Sequence, residues 1–456
     1  MTIAEYLSNY SRALQFSDLP KQVIHESKRR VIDSFGCAIG AFDAEPCRIA
    51  RKVAQSVNIS KGATILGTSE KTLPGLAAFA NGTMIRYLDY NDTYLSKEPA
   101  HPSDNIAAAL AVAETESVSG KDLITAIVLA YEVQCRLCDA ASLRSRGWDH
   151  VNYGTFSTTI CSAKLMKLSK ESTKHALGLA GVANVALRQT RVGELSMWKG
   201  CAFANAARNG VFAALLAREG MTGPSPIFEG EKGFMKLVSG EFELQRFGSE
   251  KNPFKILETC IKHFPVEYHA QSAVEAALDL RREFRTKEGK NFMFSIKSVE
   301  IHTFDAAIEI IGSGNERWNP QTRETADHSL PYCVSAALMD GTITIDSFSP
   351  ERIKDKKLHS FLQNVAVNED KQFTRNYPKK MSTRITIHTS GRKYEKQVDY
   401  PRGHPKNYMP DKELEKKFRI LASKKLGKNK AEKVLNSLWN LEKMNVRDIM
   451  AMVKVD

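Results

Sequence analysis

Asp89, Asn91, Asp92, Thr93, His101, Ser103 and Asp104 crowd into residues 88–105, LDYNDTYLSKEPAHPSDN, with Pro99 and Pro102 near the end. Carboxylates beside an imidazole can pass protons near neutral pH. The flanks are apolar and alanine-rich, at 74–84 and 106–113. A polar excursion between two apolar helix candidates ordinarily runs over the surface, because buried loop backbone must find hydrogen-bond partners. One so dense in titratable groups also fits a site where two helices meet. The plain alternative is a solvated connection in which Ser103 or Asp104 caps the next helix.

The elements that must hold this loop are mostly helices. Apolar residues recur at three- and four-residue spacing over 22–38, 74–88, 103–117, 120–141, 154–168, 170–185 and 200–219, and residues 1–16 read as an amphipathic helix. Several of these are apolar nearly all round, which predicts central helices buried on most faces. After His269 the texture changes. Residues 271–283 continue as helix, but FSIKSVEIHTF (294–304) and STRITIHT (382–389) alternate as strands do, and 361–367 adds another candidate. A Ser390-Gly391 turn joins 382–389 to 393–400 as a β-hairpin, and 328–340 reads as an apolar helix. Helices return at 411–421, 430–439 and 446–453. The expected fold class is therefore mainly α with an α+β part.

The 456 residues exceed one typical core, so two domains are expected. No stretch reaches the roughly 18–20 apolar residues of a membrane span. No secretory signal is read at the start, and a cytoplasmic protein is expected. Eight scattered cysteines suggest buried, reduced thiols. Cys135 and Cys138 have ligand spacing but no second pair, so neither zinc nor an iron–sulfur cluster is expected. The net charge of +13 raises a nucleic-acid reading. Its lysines are scattered and lack interleaved aromatics, so a solvated basic surface that attracts a small polyanion is favoured. Neither GxGxxG between strand and helix, a P-loop, HExxH nor GxSxG occurs.

Five stretches carry a resemblance: the loop itself, VIDSFGCAIGA (31–41), LSMWKGCAFANAARNG (195–210), FPVEYHAQSAVEAAL (264–278) and ADHSLPYCVSAALMDG (326–341). Together and in this order they resemble the MmgE/PrpD family of 2-methylcitrate dehydratases, cis-aconitate decarboxylases and epimerases. The resemblance covers most of the chain. It implies a helical domain (1–268 and 405–456) with an inserted α+β lid (269–404), no cofactor and no metal, a homodimer, and a small tricarboxylate substrate, with neither nucleic acid nor membrane as partner.

Dehydrating such an acid requires a base, an acid for the leaving oxygen, and cations for the carboxylates. By analogy with the family, His101 is a general acid or base, and Asp89 orients it or is itself the base. Asn91 and Thr93 line the substrate. Lys199 stands just ahead of a small-residue helix, where a cation is electrostatically out of place, which points to carboxylate binding; Arg191 offers a two-pronged grip. His150 is a second histidine near a helix start. Lys262, Glu267 and His269 lie where helical mass and lid join, a natural place for a closing site to draw residues. The decarboxylase branch places a histidine at position 267, so Glu267 looks more like the dehydratase branch. Tyr332 is expected either to donate a hydrogen bond from the lid or to be a core tyrosine bonded to backbone. The expected activity is dehydration of 2-methylcitrate to 2-methyl-cis-aconitate, with citrate as a further substrate. The rivals are a cis-aconitate decarboxylase, a related epimerase, and a basic polyanion-binding protein on a degenerate lyase scaffold.

Overall fold

The computed structural model describes residues 1–288 and 292–455. The chain is mainly helical with a small mixed sheet, and it divides into two compact units. The first holds Met1–Arg191, Met197–Cys260 and Pro410–Asp456; the second holds Val192–Ser196 and Ile261–Met409.

The first unit contains α1 (Ile3–Ala13), α2 (Lys21–Gly40), α3 (Glu45–Gln55), α4 (Pro74–Tyr87), α5 (Ile106–Thr115), α6 (Gly120–Ala140), α7 (Val151–Leu165), α8 (Lys170–Ala183) and α9 (Ala202–Arg218). Capping boxes start α1 (Thr2 with Glu5) and α6 (Ser119 with Asp122), which satisfies N–H groups that the first turn leaves without partners. α5 and α7 are almost entirely buried, as their apolar and small-residue sequences require. α9 packs against both α4 and α7, and small residues permit the approach. A Cβ at Gly82 of α4 would sit 3.0 Å from Ala204, and one at Gly154 of α7 would sit 2.3 Å from Phe203. Gly154 can therefore carry no side chain without displacing a core phenylalanine. The end of α4, the start of α7 and the turn before α9 thereby belong to one packed group. The helix Asp411–Leu426 returns to this unit and packs on α2, where Lys417 pairs with buried Asp33 at 2.7 Å.

The second unit is built on a sheet of β3 (Ser298–Thr303), β4 (Val365–Glu369), β5 (Thr383–His388) and β6 (Lys393–Val398), in the order β4-β3-β5-β6. A separate two-stranded ladder, β1 (Ala63–Thr64) with β2 (Lys71–Thr72), lies in the first unit. β3 pairs parallel with β4, and β5 pairs antiparallel with β3 and β6. Along β3 the buried Val299, Ile301 and Thr303 alternate with partly exposed Ser298, Glu300 and His302, the period of two expected of a half-covered sheet. The covering helices are α10 (Gln271–Glu288) and Leu330–Asp340. Their Val274, Ala277, Phe284 and Leu338 join Ile301, Ile385 and Ile387 in one core.

The long helices and all four expected strands of this sheet occur where the sequence places them, with ends shifted by a few residues. α3 lies outside the expected helices although Cys47, Ala50 and Ala54 repeat at helical spacing along its buried face, whereas the short helices between β3 and β5 carry too few apolar repeats to be read from sequence. The helix start expected at Ser103 is a 3-10 turn, Pro102–Asn105, that runs into α5.

Candidate active site

The loop after α4 is tied down at both ends. Thr93 and Cys260 exchange backbone hydrogen bonds of 2.8 and 2.7 Å, and Tyr94 and Ala100 exchange another pair, 2.8 and 2.9 Å. The second pair closes residues 94–100 into a hairpin and sets Thr93 beside His101. Buried Asp92 anchors the loop base. Its carboxylate accepts from Tyr131 Oη on α6 at 2.7 Å and from the Ser103 backbone N–H at 2.9 Å, with Arg30 Nε of α2 at 3.6 Å. Asn91 donates to Ser103 Oγ at 2.9 Å and to Asp104 Oδ1 at 2.7 Å, so it braces the loop from inside.

His101 sits on this frame. Its Nδ1 lies 2.8 Å from the Asp92 carbonyl and 3.2 Å from Thr93 Oγ1, and its Nε2 lies 2.9 Å from Arg86 Nη2. Arg86, in the last turn of α4, also bonds Asp89 Oδ1 through Nη1. Asp89 is buried and has φ +50, the left-handed region that favours glycine. Its second oxygen is 3.6 Å from Lys199 Nζ. His101, Arg86, Asp89 and Lys199 thus form one continuous chain of polar contacts.

A second branch meets it. Arg191 Nη1 donates to the Lys199 carbonyl at 3.0 Å, and its Nε donates to Asp149 Oδ2 at 2.9 Å. Its Nη2 lies 3.4 Å from His150 Nε2, and the ring of His150 stands 5.8 Å from that of His101. His150 precedes the first turn of α7. Burial, reinforced by Arg191 and Arg86 against the pull of Asp149, drives its imidazole down to about 3, so it is neutral. Among the described residues its Nδ1 has no hydrogen-bond partner. Burial also opposes ionisation of Asp149, but the Arg191 guanidinium outweighs it and holds the carboxyl below the usual range. Burial raises Asp104 to about 7, against the pull of nearby Arg86. Three fixed cations, two histidines and carboxylates with separated proton affinities can bind a polyanion and move a proton.

The second unit holds its own grouping. His269 Nδ1 lies 2.8 Å from Glu267 Oε1, its backbone N–H donates to Glu267 Oε2 at 2.7 Å, and its Nε2 is 3.2 Å from Tyr377 Oη. Burial works against the charged form of Glu267, yet His269, His328 and Lys262 hold the carboxyl down at about 2. Lys262 is fully buried. The Tyr332 hydroxyl donates to the Ser347 carbonyl at 2.8 Å inside this unit's core, the second of the two expectations for that residue.

Of the residues expected from sequence, the first unit gathers Asp89, Asn91, Thr93, His101, His150, Arg191 and Lys199. Lys262, Glu267, His269 and Tyr332 belong to the second unit. Arg86, Asp149 and Tyr377 went unremarked in the sequence, and Asp92 was noted in the loop without a role. Arg86 left one usable signal: it is the single charge in the otherwise uncharged stretch PGLAAFANGTMIRY, and a buried cation must be paired.

The family comparison agrees with the motifs. The MmgE/PrpD N-terminal domain matches residues 5–246 and the MmgE/PrpD C-terminal domain matches residues 264–443. The chain belongs to the MmgE/PrpD family, and within it the chain is a dehydratase, a hydro-lyase. It is 30% identical to the 2-methylcitrate dehydratase of Escherichia coli strain K12, over 98% of this chain and 95% of that protein. It is 32% identical to the mitochondrial 2-methylcitrate dehydratase of Yarrowia lipolytica, over 88% and 79%. The alkylcitrate dehydratase phiI of a fungal species is 29% identical over 91% and 86%. No described helix is long and apolar enough to cross a membrane.

Proposed function

We propose that the chain converts 2-methylcitrate to 2-methyl-cis-aconitate by acid–base elimination without a bound metal. The observation that carries the reading is the convergence of His101, Asp89, Arg86, Lys199, Arg191 and His150 from separate segments of one helical unit. The names of the relatives supply the substrate.

His101 Nε2 takes the proton from the carbon next to a carboxylate. The C–H electron pair becomes the new double bond, and the hydroxyl on the neighbouring carbon departs as water with a proton from Lys199. Lys199 and Arg191 hold substrate carboxylates and the charge that builds on one of them. Asp89 steadies the Lys199 ammonium, and the open Nδ1 of His150 offers a neutral donor to a substrate oxygen. His269, backed by Glu267, is the second unit's acid–base candidate. A homodimer remains part of the proposal, to be measured by light scattering.

The test is to incubate chelator-treated enzyme with 2-methylcitrate, citrate and cis-aconitate while following absorbance of the conjugated product and release of carbon dioxide. Absorbance gain from 2-methylcitrate without gas supports the proposal. Gas from cis-aconitate means a decarboxylase, and turnover restored only by added metal removes the metal-free step.

A further inference from the structure

We propose that Arg86 is a positioning residue that fixes His101 in its neutral Nδ1–H form and so keeps the Nε2 lone pair ready to accept a proton. The consequence for catalysis rests on the dehydratase reading, because it takes His101 as the group that moves the proton.

Two contacts of the ring dictate the form, and Thr93 Oγ1, 3.2 Å from Nδ1, can accept as readily as donate and so agrees with it. A guanidinium has donors and no acceptor, and a carbonyl accepts only. Arg86 Nη2 at 2.9 Å therefore requires a lone pair on Nε2, and the Asp92 carbonyl at 2.8 Å requires a hydrogen on Nδ1. An imidazolium would turn an N–H toward a second cation, which is both a donor facing a donor and a like-charge contact. Arg86 is itself well anchored: it is 3% exposed, bonds Asp89 through Nη1, and brings Nε within 3.9 Å of Asp104 Oδ2.

Charged groups of the first unit about the ring come from several elements. They are Arg86 on α4; Asp89, Asp92 and Asp104 on the loop; His150 on α7 with Arg191 and Asp149 behind it; and Lys199 ahead of α9. Arg86 is the cation in direct contact with Nε2. It therefore sets which nitrogen carries the hydrogen, while the others modulate the field. A substrate carboxylate that draws the Nη2 donor to itself releases the lone pair once the acid is seated. Proton removal is then coupled to substrate binding.

The experiment is ¹⁵N NMR of the His101 ring against pH in the full-length wild type, Arg86→Lys and Arg86→Met, with His101→Gln to assign the signal. Alongside it, the acid limb of the kcat/KM profile is measured for each variant. The expected wild-type spectrum is the Nδ1–H tautomer at neutral pH. In Arg86→Met the titration midpoint and the acid limb both rise by about one pH unit or more, since a cation within hydrogen-bond reach is gone. Arg86→Lys stays near the wild-type midpoint. A wild-type ring that carries its hydrogen on Nε2, or is doubly protonated at neutral pH, overturns the inference even if Arg86→Met fails to fold. So does an Arg86→Met ring that keeps the wild-type tautomer and midpoint. The NMR arms need no turnover, so absence of dehydration by the wild type would sink the substrate reading and leave this inference standing.

Discussion

Replacing His101 by glutamine separates chemistry from scaffolding at one position. The glutamine amide spans nearly the same two sites as the imidazole nitrogens. Its NH₂ can donate to the Asp92 carbonyl and its oxygen can accept from Arg86 Nη2, so the contacts now at 2.8 and 2.9 Å survive. A net hydrogen bond contributes about 1 kcal/mol, and with neither lost the unfolding free energy should change by less than about 1 kcal/mol. The amide cannot accept and release a proton, so the whole acid–base contribution disappears, about 10²–10⁴-fold in kcat. That loss corresponds to roughly 3–5 kcal/mol of barrier. The assay pairs urea unfolding of purified His101→Gln with initial rates on 2-methylcitrate from pH 5 to 9. The acid limb of the wild-type profile should vanish along with the rate. A variant within tenfold of wild type refutes His101 as the proton-moving group. A rate loss accompanied by several kcal/mol of destabilisation would mean that the residue is structural.

Lys199→Met removes an ammonium 3.6 Å from Asp89 but not the Lys199 carbonyl that holds Arg191. Kcat/KM for the tricarboxylate should fall about 10²-fold or more in steady-state assays, with far-ultraviolet circular dichroism unchanged. Asp104→Asn tests the carboxyl that burial raises to about 7. An unfolded Asp titrates near ~3.9, so the folded wild type binds the extra proton between these values. That stability is complete below about 4 and is lost as pH rises through about 7, on the order of 4 kcal/mol. Urea unfolding free energies compared at pH 5 and pH 8 should show a smaller fall for Asp104→Asn than for wild type. Tyr332→Phe deletes only a donor to the Ser347 carbonyl; a stability loss of about 1 kcal/mol with kcat within twofold is expected, and a large loss of kcat alone would show that its hydroxyl serves the substrate.

Local sequence settled much of this protein. The apolar repeats that place α2, α4, α6, α8 and α9 are visible because a helix buried on one or more faces must repeat its apolar residues every three or four positions. The alternation in β3 and β5 is as plain, since a half-covered strand turns every second side chain inward. The loop that carries Asp89 and His101 announced itself by its density of titratable groups. The short helices between β3 and β5 did not, because segments of four to seven residues hold too little pattern to distinguish from loop.

Tertiary structure alone decided which groups touch. Nothing within residues 88–105 indicates that Asp89 faces Lys199, or that Arg191 reaches back to Asp149 and His150. Those contacts exist because Gly82 and Gly154 let α4 and α7 press close against α9. Arg86 shows the same division. Its burial follows from an apolar helix and its partner Asp89 is only three residues on, but His101 and Asp104 are returned to it by a hairpin that folds residues 94–100 back on themselves. Residue types and periodicity are properties of the chain read along its length. Proton affinities and tautomers depend on distances across the fold, and only packing sets those.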